Sequence, residues 1–339
     1  MSEFLFLGAV GTVWAVLLYN VLLTLAGYVY RQRRRLSAGE VGLSDRCDWP
    51  GVSILVPAHN EARVIERSIR SLLALQYPRD RLEIVVIDDA GTDGTDAICD
   101  RLSAEDKRVK VLHIPSGLGG QGKAAALNAG LAACSHPLIA VYDADNRPRP
   151  DALLRLVAEL LTTDHVAAVG RIVKLNRKET LLNRFCSLEF GAFQWSIQAG
   201  RAQLFDLVSL PGTNFVIRTE TLRALGGWDP SALTEDLELS VRLYAAGGRT
   251  ALVPEAVSEE QDPERLRPWL TQRVRWMLGN YYVILKHAGS IARFRNLHAL
   301  LDLWGLAMIY VLFLGALVTS DVLFLAGLAQ LFFVELPGA

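Results

Sequence analysis

Cysteine is scarce in this chain of 339 residues, and the few cysteines present do not cluster. They are Cys47, Cys99, Cys134 and Cys186, and no two of them form a CxxC pair. The six histidines do not group with the cysteines either. This spacing argues against a zinc site and against a disulfide framework, and it fits a protein of a reducing compartment.

An excess of charge of one sign is also missing. The chain has 35 basic and 36 acidic residues, which gives a formal net charge of -1. Nucleic-acid-binding domains carry a strong basic excess, so no nucleic-acid partner is expected. Apolar residues are abundant instead, at 51% of the chain, and the mean hydropathy of +0.24 is high for a purely soluble protein. The length accommodates one large catalytic domain with membrane segments, or two small domains.

The first long apolar run covers Phe4 to Tyr30. It exceeds the ~20 residues that span a bilayer, so residues 1–30 are predicted to form a transmembrane helix. The sequence RQRRR follows at residues 31–35, and the positive-inside rule places this basic flank in the cytoplasm. A cleaved signal peptide carries its positive charge before the apolar run, so a permanent anchor is expected. Residues 31–50 are then a basic cytoplasmic linker.

A second apolar zone occupies residues 297–339 and is predicted to be a transmembrane helical hairpin. Residues 303–318 and 322–334 are apolar, and Thr319, Ser320 and Asp321 between them resemble a turn. Residues 263–296 before this zone are predicted to form amphipathic interfacial helices. The protein would therefore cross the cell membrane (inner or plasma membrane) more than once, with its catalytic domain cytoplasmic. A buried pair of core helices is the alternative for the second zone.

Between the membrane zones, in residues 51–262, short β-branched runs alternate with helical patterns. The runs are VSILVP, LEIVVIDD, VKVLHI and PLIAVYD, and the helices are expected near residues 61–75, 95–104 and 123–133. This alternation predicts an α/β fold with a mostly parallel sheet that is covered on both faces. Ligands of such sheets bind beyond the carboxyl ends of the strands. The acidic residues at those ends should share one rim: Asp88, Asp89, Asp143 and Asp145.

The stretch SGLGGQGKAAALN contains a GxGxxG pattern, formed by Gly117, Gly119 and Gly122. Together with Asp143 about 20 residues further on, the pattern favours a dinucleotide site, and hence a nicotinamide-dependent oxidoreductase. It follows the third strand rather than the first, which weakens this hypothesis. A P-loop is disfavoured because Ala124 stands where a magnesium-binding Ser or Thr is needed. The glycine amides, the start of a helix and Lys123 still favour a phosphate-like anion.

Three acidic clusters are candidates for the chemistry. Asp143 and Asp145 point the same way if their segment is extended, and two hard oxygen ligands suit Mg²⁺ or Mn²⁺ bridging a diphosphate. A solvated turn is the alternative. Asp88 can accept hydrogen bonds from a nucleobase or a ribose. Asp236, in the TED sequence at residues 234–236, is either a general base or an acidic residue at a helix N-terminus.

Taken together, these segments resemble the family 2 glycosyltransferases, in particular the membrane-embedded branch of cellulose, chitin, hyaluronan and poly-N-acetylglucosamine synthases. The resemblance covers residues 52–282 and rests on motifs that occur in the expected order. They are VSILVPAHNE, VVIDDAGTDGT, GKAAALN, DAD, PGTNFVIR, TED and QRVRW. Each motif is weak or moderate alone, and their ordered occurrence beside apolar helices is the stronger signal.

The resemblance implies a GT-A fold and a role for each matched residue. The nucleotide-sugar would contact Ala58, His59, Glu61, Asp88, Asp89, Lys123, Asp143 and Arg275. The divalent metal, Mg²⁺ or Mn²⁺, would lie at Asp143 and Asp145. Catalysis would involve Asp236 as general base together with Glu235 and Arg275. The acceptor would contact Gly212, Thr213, Asn214, Gln272 and Trp276.

The implied reaction is an inverting transfer of a hexose or N-acetylhexosamine from a nucleotide sugar, with UDP-glucose or UDP-N-acetylglucosamine expected. The acceptor would be a growing polysaccharide, and the new bond would be β-linked. His59 departs from the family pattern, because cellulose and poly-N-acetylglucosamine synthases commonly have tyrosine there. Three alternatives stay open: a non-processive enzyme acting on a lipid acceptor, the oxidoreductase, and a membrane-bound module without activity. Membrane lipids are expected partners in each glycosyltransferase case.

Overall fold

The computed structural model describes residues 2–37, 48–176, 180–289 and 297–333. Outside this part lie residues 38–47 of the predicted linker, residues 290–296 of the predicted interfacial stretch and residues 334–339 of the predicted hairpin. The strands are β1 (Val52–Ala58), β2 (Leu82–Asp88), β3 (Val109–His113), β4 (Leu138–Val141), β5 (Arg147–Pro148), β6 (Ala167–Lys174), β7 (Phe215–Arg218) and β8 (Thr250–Glu260). The helices are α1 (Ser2–Ser37), α2 (Ile65–Leu73), α3 (Thr95–Glu105), α4 (Lys123–Ala133), α5 (Ala152–Thr162), α6 (Leu181–Ala192), α7 (Ala199–Phe205), α8 (Thr219–Ala224), α9 (Glu235–Ala245), α10 (Leu266–Ala288), α11 (Leu297–Ala307) and α12 (Leu314–Phe333).

The eight strands form one mixed sheet in the order β3-β2-β1-β4-β7-β6-β8-β5. The first four strands in that order are parallel, and they are the four that the sequence predicts. Strand β7 then runs antiparallel to both β4 and β6, while β6 and β8 are parallel to each other. The predicted α/β class is therefore confirmed, and the second half of the sheet adds antiparallel pairs to the parallel half.

Helices cover both faces of the sheet, so β2 and β4 are buried along their whole length and β1 at all but one position. Ile54 and Val86 on one face pack against α2, α3 and α5. On the opposite face, Leu55 and Ile87 pack against α4, with α7, α8 and α9 completing the layer. A strand buried on both faces reads as a continuous apolar run, which is why β1 and β2 could be recognised in the sequence. The two layers leave the carboxyl ends of β1, β2 and β4 at one open edge.

A bulge in β8 shapes the sheet beside that edge. Between Gly170 and Arg171 of β6, the paired residue on β8 jumps from Val253 to Val257. The fully buried Asn214 side chain fills the gap, donating from Nδ2 to the carbonyls of Arg171 (3.1 Å) and Ala256 (3.0 Å). A Cβ on Gly170 would come within 2.3 Å of Asn214 Nδ2, so glycine is required there. Bulges of this kind commonly re-aim a chain next to a functional site.

Helix α1 is one continuous helix that joins the apolar N-terminus to the α/β domain. In the described part of the chain it alone is long and apolar enough to span a membrane, over Phe4 to Leu36 with a mean hydropathy of 1.9. Its last turns dock on the domain: Tyr30 donates through its hydroxyl to the Leu252 carbonyl. Arg34 forms ion pairs of 2.9 Å with both Glu159 and Glu255. The basic sequence predicted to begin a linker is therefore helical as far as Ser37.

The helical hairpin predicted for the C-terminal zone is wrong in the described residues. Helix α11, a π-helical segment at Met308–Phe313 and helix α12 follow one another without a turn, and α12 runs through residues 319–321. Thr and Ser hydroxyls can bond to a carbonyl one turn earlier and so remain in a helix, which is why these residues do not force a turn. A multi-pass topology is accordingly not supported by the described residues. Helix α12 instead packs along α1.

Candidate active site

The acidic rim lies at the ends of three adjacent parallel strands. Strand β1 ends at Ala58, whose carbonyl accepts a 2.9 Å hydrogen bond from the Asp89 amide just beyond β2. Strand β4 ends at Val141, two residues before Asp143. Because β1 lies between β2 and β4, the two acidic segments flank it on either side. The predicted convergence of the strand-end carboxylates on one edge is therefore present.

The DAD segment is a turn and not the extended chain that the sequence suggested. The Asn146 amide donates to the Asp143 carbonyl at 3.0 Å, which closes the turn. The buried Asn146 side chain holds it in place: its Oδ1 accepts from Thr213 (3.0 Å) and from Ser258 (2.9 Å). The Asp143 amide in turn donates to Thr213 Oγ1 at 3.0 Å. A short segment with this many side-chain bonds turns, because such bonds compete with strand pairing.

Lys123, at the first position of α4, crosses the site to the opposite wall. Its Nζ lies 2.5 Å from Asp143 Oδ1 and 3.6 Å from Glu235 Oε1, and it donates to the Gly212 carbonyl at 2.9 Å. Burial alone would lower the pKa of Lys123, but the Asp143 and Glu235 carboxylates raise it above its usual value. The ammonium is thus held charged beside the DAD turn. A charged ammonium at this place is compatible with the phosphate-like anion that the sequence predicts there.

Asp236 and this ammonium both lie close to Gly212. Gly212 has a φ of +77°, and a Cβ built on it would lie 3.1 Å from Asp236 Oδ2 and 3.4 Å from Lys123 Nζ. Burial and the adjacent Glu235 raise the pKa of Asp236 to about 7, although Lys123 opposes the shift. A carboxylate with a pKa near neutrality is suited to proton transfer. The alternative of an acidic residue at a helix N-terminus also holds, since Asp236 lies in the first turn of α9, where its Oδ1 accepts a 2.8 Å hydrogen bond from the Leu237 amide.

Several carboxylates approach one another at this edge without enough positive charge to balance them. Burial and Asp143 raise the pKa of Asp145. Burial, with Asp145 and Asp143 nearby, also raises the pKa of Glu61 to about 7. Glu260 at the end of β8 has a pKa of about 7, raised by burial and by the same two aspartates against the opposing charge of Lys174. Mutual repulsion of hard oxygen donors is the electrostatic setting in which a divalent cation is stabilised.

The donor set fits Mg²⁺ or Mn²⁺ only in part. Among the described residues, no three His, Cys, Asp or Glu side chains are close enough to hold a metal ion on their own. Mg²⁺ commonly binds through one or two carboxylates together with substrate phosphates. Asp143 and Asp145 are suited to that mode, and a nucleotide diphosphate would supply the remaining oxygens.

The predicted nucleoside residues surround the ends of β1 and β2. His59 contacts the Asp89 carbonyl through Nδ1 at 2.7 Å, and the Gly120 amide donates to Asp89 Oδ1 at 2.9 Å. The glycine-rich loop therefore closes over Asp89. The strand before this loop, β3, is the edge strand of the sheet, whereas a dinucleotide fingerprint follows a central first strand. The loop does not have the position that the oxidoreductase alternative requires.

Two residues were missed by the sequence analysis. Asp88 pairs with His113 through Oδ2 at 2.9 Å, and Lys174 makes 3.0 Å ion pairs with Glu260 and Asp262. His113 ends the third predicted strand, so its position beyond a parallel strand was the available signal. Lys174 ends β6, a strand that the sequence analysis did not identify.

The predicted acceptor residues play different parts. Thr213 is buried beneath the DAD turn, and Asn214 is committed to the β8 bulge, so both shape the site from behind. Gly212 lies next to both Lys123 and Asp236. The prediction that Thr213 and Asn214 line the acceptor site therefore becomes a proposal that they position its wall.

The QRVRW sequence lies on α10, which packs on the start of α9. A Cβ on Gly279 would approach Thr234 Oγ1 to 2.6 Å, so this glycine brings α10 onto the residue before Glu235. Gln272, Trp276 and Gly279 share one helical face by their spacing. Gln272 and Arg275 line an open cavity of about 470 Å³, together with Pro263, Arg267, Pro268 and Thr271. In the described part of the chain, the exposed Arg275 makes no ion pair with the carboxylates of the DAD turn.

Arg273, within the QRVRW sequence, is directed toward α6. Its guanidinium pairs with Glu189 of α6 at 2.6 Å and lies over the Trp276 ring at 4.7 Å. It also lies 5.3 Å from the centre of the Trp269 ring. This arginine therefore joins α6 to α10 and helps to orient the motif tryptophan.

Comparisons with known proteins identify the family and the fold. The profile of the family described as "Glycosyltransferase like family 2" matches residues 50–279. A "Probable glycosyltransferase YdaM" from Bacillus subtilis (strain 168) is 36% identical over 97% of this chain and 78% of its own length. A "Beta-monoglucosyldiacylglycerol synthase" from Synechocystis sp. is 32% identical over 69% of this chain. The chain spans about half of that relative's length, 48%.

A solved structure shows the same fold. The mannosyltransferase PcManGT from Pyrobaculum calidifontis, in complex with GDP-Man and Mn²⁺, superimposes with a TM-score of 0.67. The superposition covers 96% of this chain and 87% of the mannosyltransferase chain. The sequence identity is 22%, so the similarity concerns the fold. The expected Rossmann-like GT-A fold is confirmed, and the oxidoreductase and the inactive module are set aside. The chain belongs to the family 2 glycosyltransferases and is a glycosyltransferase.

Proposed function

We propose that this glycosyltransferase acts at a membrane surface and transfers a hexose or N-acetylhexosamine from a UDP-sugar with inversion. The donor is UDP-glucose or UDP-N-acetylglucosamine, and the new bond is β-linked. The observation that carries the proposal is the close approach of both Lys123 and Asp236 to Gly212. This arrangement puts a charge for the leaving group and a base for the acceptor within one small site.

Lys123 and the DAD turn hold the leaving group. The ammonium is already charged and fixed by Asp143 and the Gly212 carbonyl, so it needs little reorganisation to stabilise a nucleotide diphosphate. Asp143 and Asp145 would hold Mg²⁺ or Mn²⁺, which supplies charge neutralisation to the departing diphosphate. Arg275 on α10 adds a planar donor suited to phosphate oxygens.

Asp236 performs the proton transfer. Its carboxylate accepts the proton of the acceptor hydroxyl as that oxygen attacks the anomeric carbon. The bond from that carbon to the diphosphate oxygen breaks on the opposite face, and the nucleotide diphosphate departs with the bonding electrons. An α-linked donor therefore gives a β-linked product. Glu235 keeps the pKa of Asp236 high, so the base accepts a proton readily near neutral pH.

Membrane attachment is supported by two helices in addition to α1. On α6, the exposed Leu181, Phe185 and Leu188 form one stripe, while the buried positions include Asn183 and Cys186. This is the reverse of the pattern of a surface helix in a soluble domain.

On α10, the exposed Leu266, Leu270, Val274 and Met277 form a similar stripe. The segment that continues α6 contacts α1 within its apolar run, since a Cβ on Gly27 would meet the Trp195 carbonyl at 2.5 Å. We propose that both stripes rest in the bilayer interface on the cytoplasmic side.

The acceptor has two candidates. A growing saccharide chain is favoured by Trp276, which follows the cavity residue Arg275 on α10 and whose ring can stack on a sugar. A glycerolipid is favoured by the similarity to the diacylglycerol-glucosylating relative and by the apolar stripes beside the same cavity. Both acceptors would meet the same base, Asp236.

The testing experiment measures nucleotide diphosphate release by the detergent-purified full chain. UDP-glucose, UDP-N-acetylglucosamine, UDP-galactose and GDP-mannose are each supplied with Mn²⁺, Mg²⁺ or a chelator, with and without diacylglycerol. Metal-dependent release from one donor, abolished in Asp236→Asn while nucleotide binding persists, is expected. Product that extracts into chloroform identifies the lipid acceptor, and product of increasing length identifies a polysaccharide. Normal turnover in Asp236→Asn would refute the base assignment.

A further inference from the structure

His113 ends the edge strand β3 beside Asp88, the residue proposed to face the nucleobase. The parallel register of β2 and β3 places Asp88 opposite His113. His113 Nδ1 lies 2.9 Å from Asp88 Oδ2, and His113 Nε2 lies 3.0 Å from Asp100 Oδ1 on α3. No motif of the sequence marks this histidine. It is tied to two carboxylates from two different elements.

The two contacts define the charge of the ring. A carboxylate oxygen can only accept, so each ring nitrogen must carry a hydrogen to bond to it. Neutral imidazole has a single N–H, and both bonds form together only in the imidazolium form. The hydrogen bonds to Asp88 and Asp100 accordingly raise the pKa of His113, although partial burial opposes them.

The contact with His113 also makes the two Asp88 carboxylate oxygens differ in their hydrogen bonding. Oδ2 is taken by His113, whereas Oδ1 receives only a long 3.4 Å contact from the Gly91 amide within the described residues. The Asp88 side chain is 7% exposed, so water has little access to it. With its rotation fixed by His113, the carboxylate offers Oδ1 as a ready acceptor toward the end of the sheet.

We propose that His113 is the positioning residue for nucleobase recognition: its imidazolium bridges Asp100 and Asp88 and orients Asp88 Oδ1 to accept an N–H of the base. This inference rests on the proposed function, in which Asp88 contacts the base of the donor. It assigns His113 to donor affinity and leaves the rate of the chemical step to Lys123 and Asp236.

A pH dependence follows from the groups that face His113, which are Asp88 from β2 and Asp100 from α3. The raised pKa means that both bonds are present at low pH and that one is lost as the pH rises through that pKa. Donor affinity is therefore highest at the acidic end of the working range. The base requirement at Asp236 has the opposite sign, so affinity and turnover respond to pH in opposite directions.

The test measures the binding of UDP, and of GDP for comparison, to the full chain in detergent with Mg²⁺. Calorimetry gives the affinities from pH 6 to 8.5. In the wild type, affinity should fall as the pH rises. His113→Phe keeps a ring of similar size without donors, and it should bind about tenfold more weakly at pH 6, with no pH trend. His113→Asn keeps one neutral donor and should recover part of the affinity, also without a trend.

The outcomes separate this inference from the proposed function. Binding of neither UDP nor GDP by the wild type would remove the proposed function itself. Wild-type binding that His113→Phe reproduces at every pH would overturn the role of His113 alone. At saturating donor, kcat of the His113 variants should stay within about twofold of wild type, because the residue does not touch the reacting atoms. A loss of kcat with unchanged KM would also overturn the assignment.

Discussion

At the scale of single residues, the site brings the Asp236 carboxylate close to the Lys123 ammonium. Asp236 and Lys123 both approach Gly212, and both side chains are partly buried. Their charges are not equivalent, because Lys123 is matched by Asp143 and Glu235 while Asp236 repels Glu235. The ionisation of Asp236 is therefore the step that pH controls.

The first prediction concerns the pH dependence of turnover. Since the pKa of Asp236 is raised to about 7, the ionised base is a minor form below that pH. The kcat at saturating donor should rise through pH 7 and level off above it, falling about tenfold for each pH unit below the pKa. Steady-state nucleotide diphosphate release between pH 5.5 and 8.5 measures this limb. A flat profile across pH 7 would contradict Asp236 as the base.

The second prediction concerns stability at the same residue. A carboxyl whose pKa is raised by folding holds a proton more tightly in the folded state, so its ionisation lowers stability as the pH rises toward 7. This cost builds up between the unfolded pKa of about 4 and the folded pKa of about 7, so Asp236→Asn should raise the melting temperature most at pH 8, roughly half as much at pH 5.5, and little near pH 4. Thermal unfolding in detergent, without nucleotide or metal, provides the measurement. Equal melting temperatures of the two proteins at pH 8 would count against a buried, ionised Asp236.

The positions of site residues could be predicted from the sequence where they follow a recognisable strand. They could not be predicted where they depend on contacts between segments that are distant in sequence. Asp88 and Asp143 follow central strands, so their location at the sheet edge was foreseeable. The bond from Lys123 to Gly212 spans 89 residues, and no local pattern announces it. Asn214 was expected at the acceptor and is instead held in a bulge that forms only once β6 and β8 have paired.

At the scale of elements, α10 comes closest to the start of α9 at a glycine. Gly279 lies on the helical face that also carries Gln272 and Trp276, and it contacts Thr234 immediately before the acidic pair. The same face contributes the buried Val283, which packs with Val241 of α9. The QRVRW sequence is thereby aligned with Asp236 through one helix–helix contact.

The third prediction tests this contact. Gly279→Val would drive a side chain into Thr234, so α10 must shift away and the motif residues must leave their place. We expect kcat/KM to fall more than tenfold with UDP binding by the α/β domain retained. Gly289→Ala is the matched control, because its added Cβ meets nothing within 4 Å at the end of the same helix. Comparable losses in both variants would show that the contact is not specific.

Element boundaries were predictable where composition is sharp. Helix α4 begins at Lys123 and ends at Ala133 as expected, because Gly122 takes a positive φ of 93° immediately before it. The turn expected at Thr319–Asp321 failed, since three polar residues within a long apolar helix do not outweigh its continuous hydrogen bonding. Strands β5 to β8 were not identified in advance. Strand β5 has two residues, and β8 includes the irregular stretch opposite Gly170.

At the scale of the whole molecule, α1 is part of the catalytic domain as much as part of the anchor. Arg34 reaches α5 through Glu159 and the β8 bulge through Glu255, and Tyr30 bonds to the backbone of β8. Arg31 also lies 4.7 Å from the centre of the Trp195 ring. The helix that leaves the apolar run therefore arrives with a fixed direction.

The fourth prediction concerns this attachment. Arg34→Gln removes two charge-assisted bonds at a partly buried position, which should cost about 1–3 kcal/mol and lower the melting temperature by several degrees. Arg35→Gln removes the same charge from an exposed neighbouring residue and should leave the melting temperature unchanged. Thermal unfolding of both variants in the same detergent gives the comparison. Equal effects would mean that only the charge of the basic segment matters.

Because the two ion pairs of Arg34 fix α1 to the domain, they limit which acceptor molecules the site can reach. A catalytic domain joined to its membrane helix by a flexible linker could reach acceptors at many distances from the bilayer. In the proposed membrane-bound enzyme, a domain fixed to a rigid helix would act at a single distance from the lipid. Such an enzyme samples its acceptor by lateral drift in two dimensions, and only hydroxyls that protrude to that distance come within range. Selection of the acceptor would then begin with how far each molecule projects from the membrane, before any contact with the pocket.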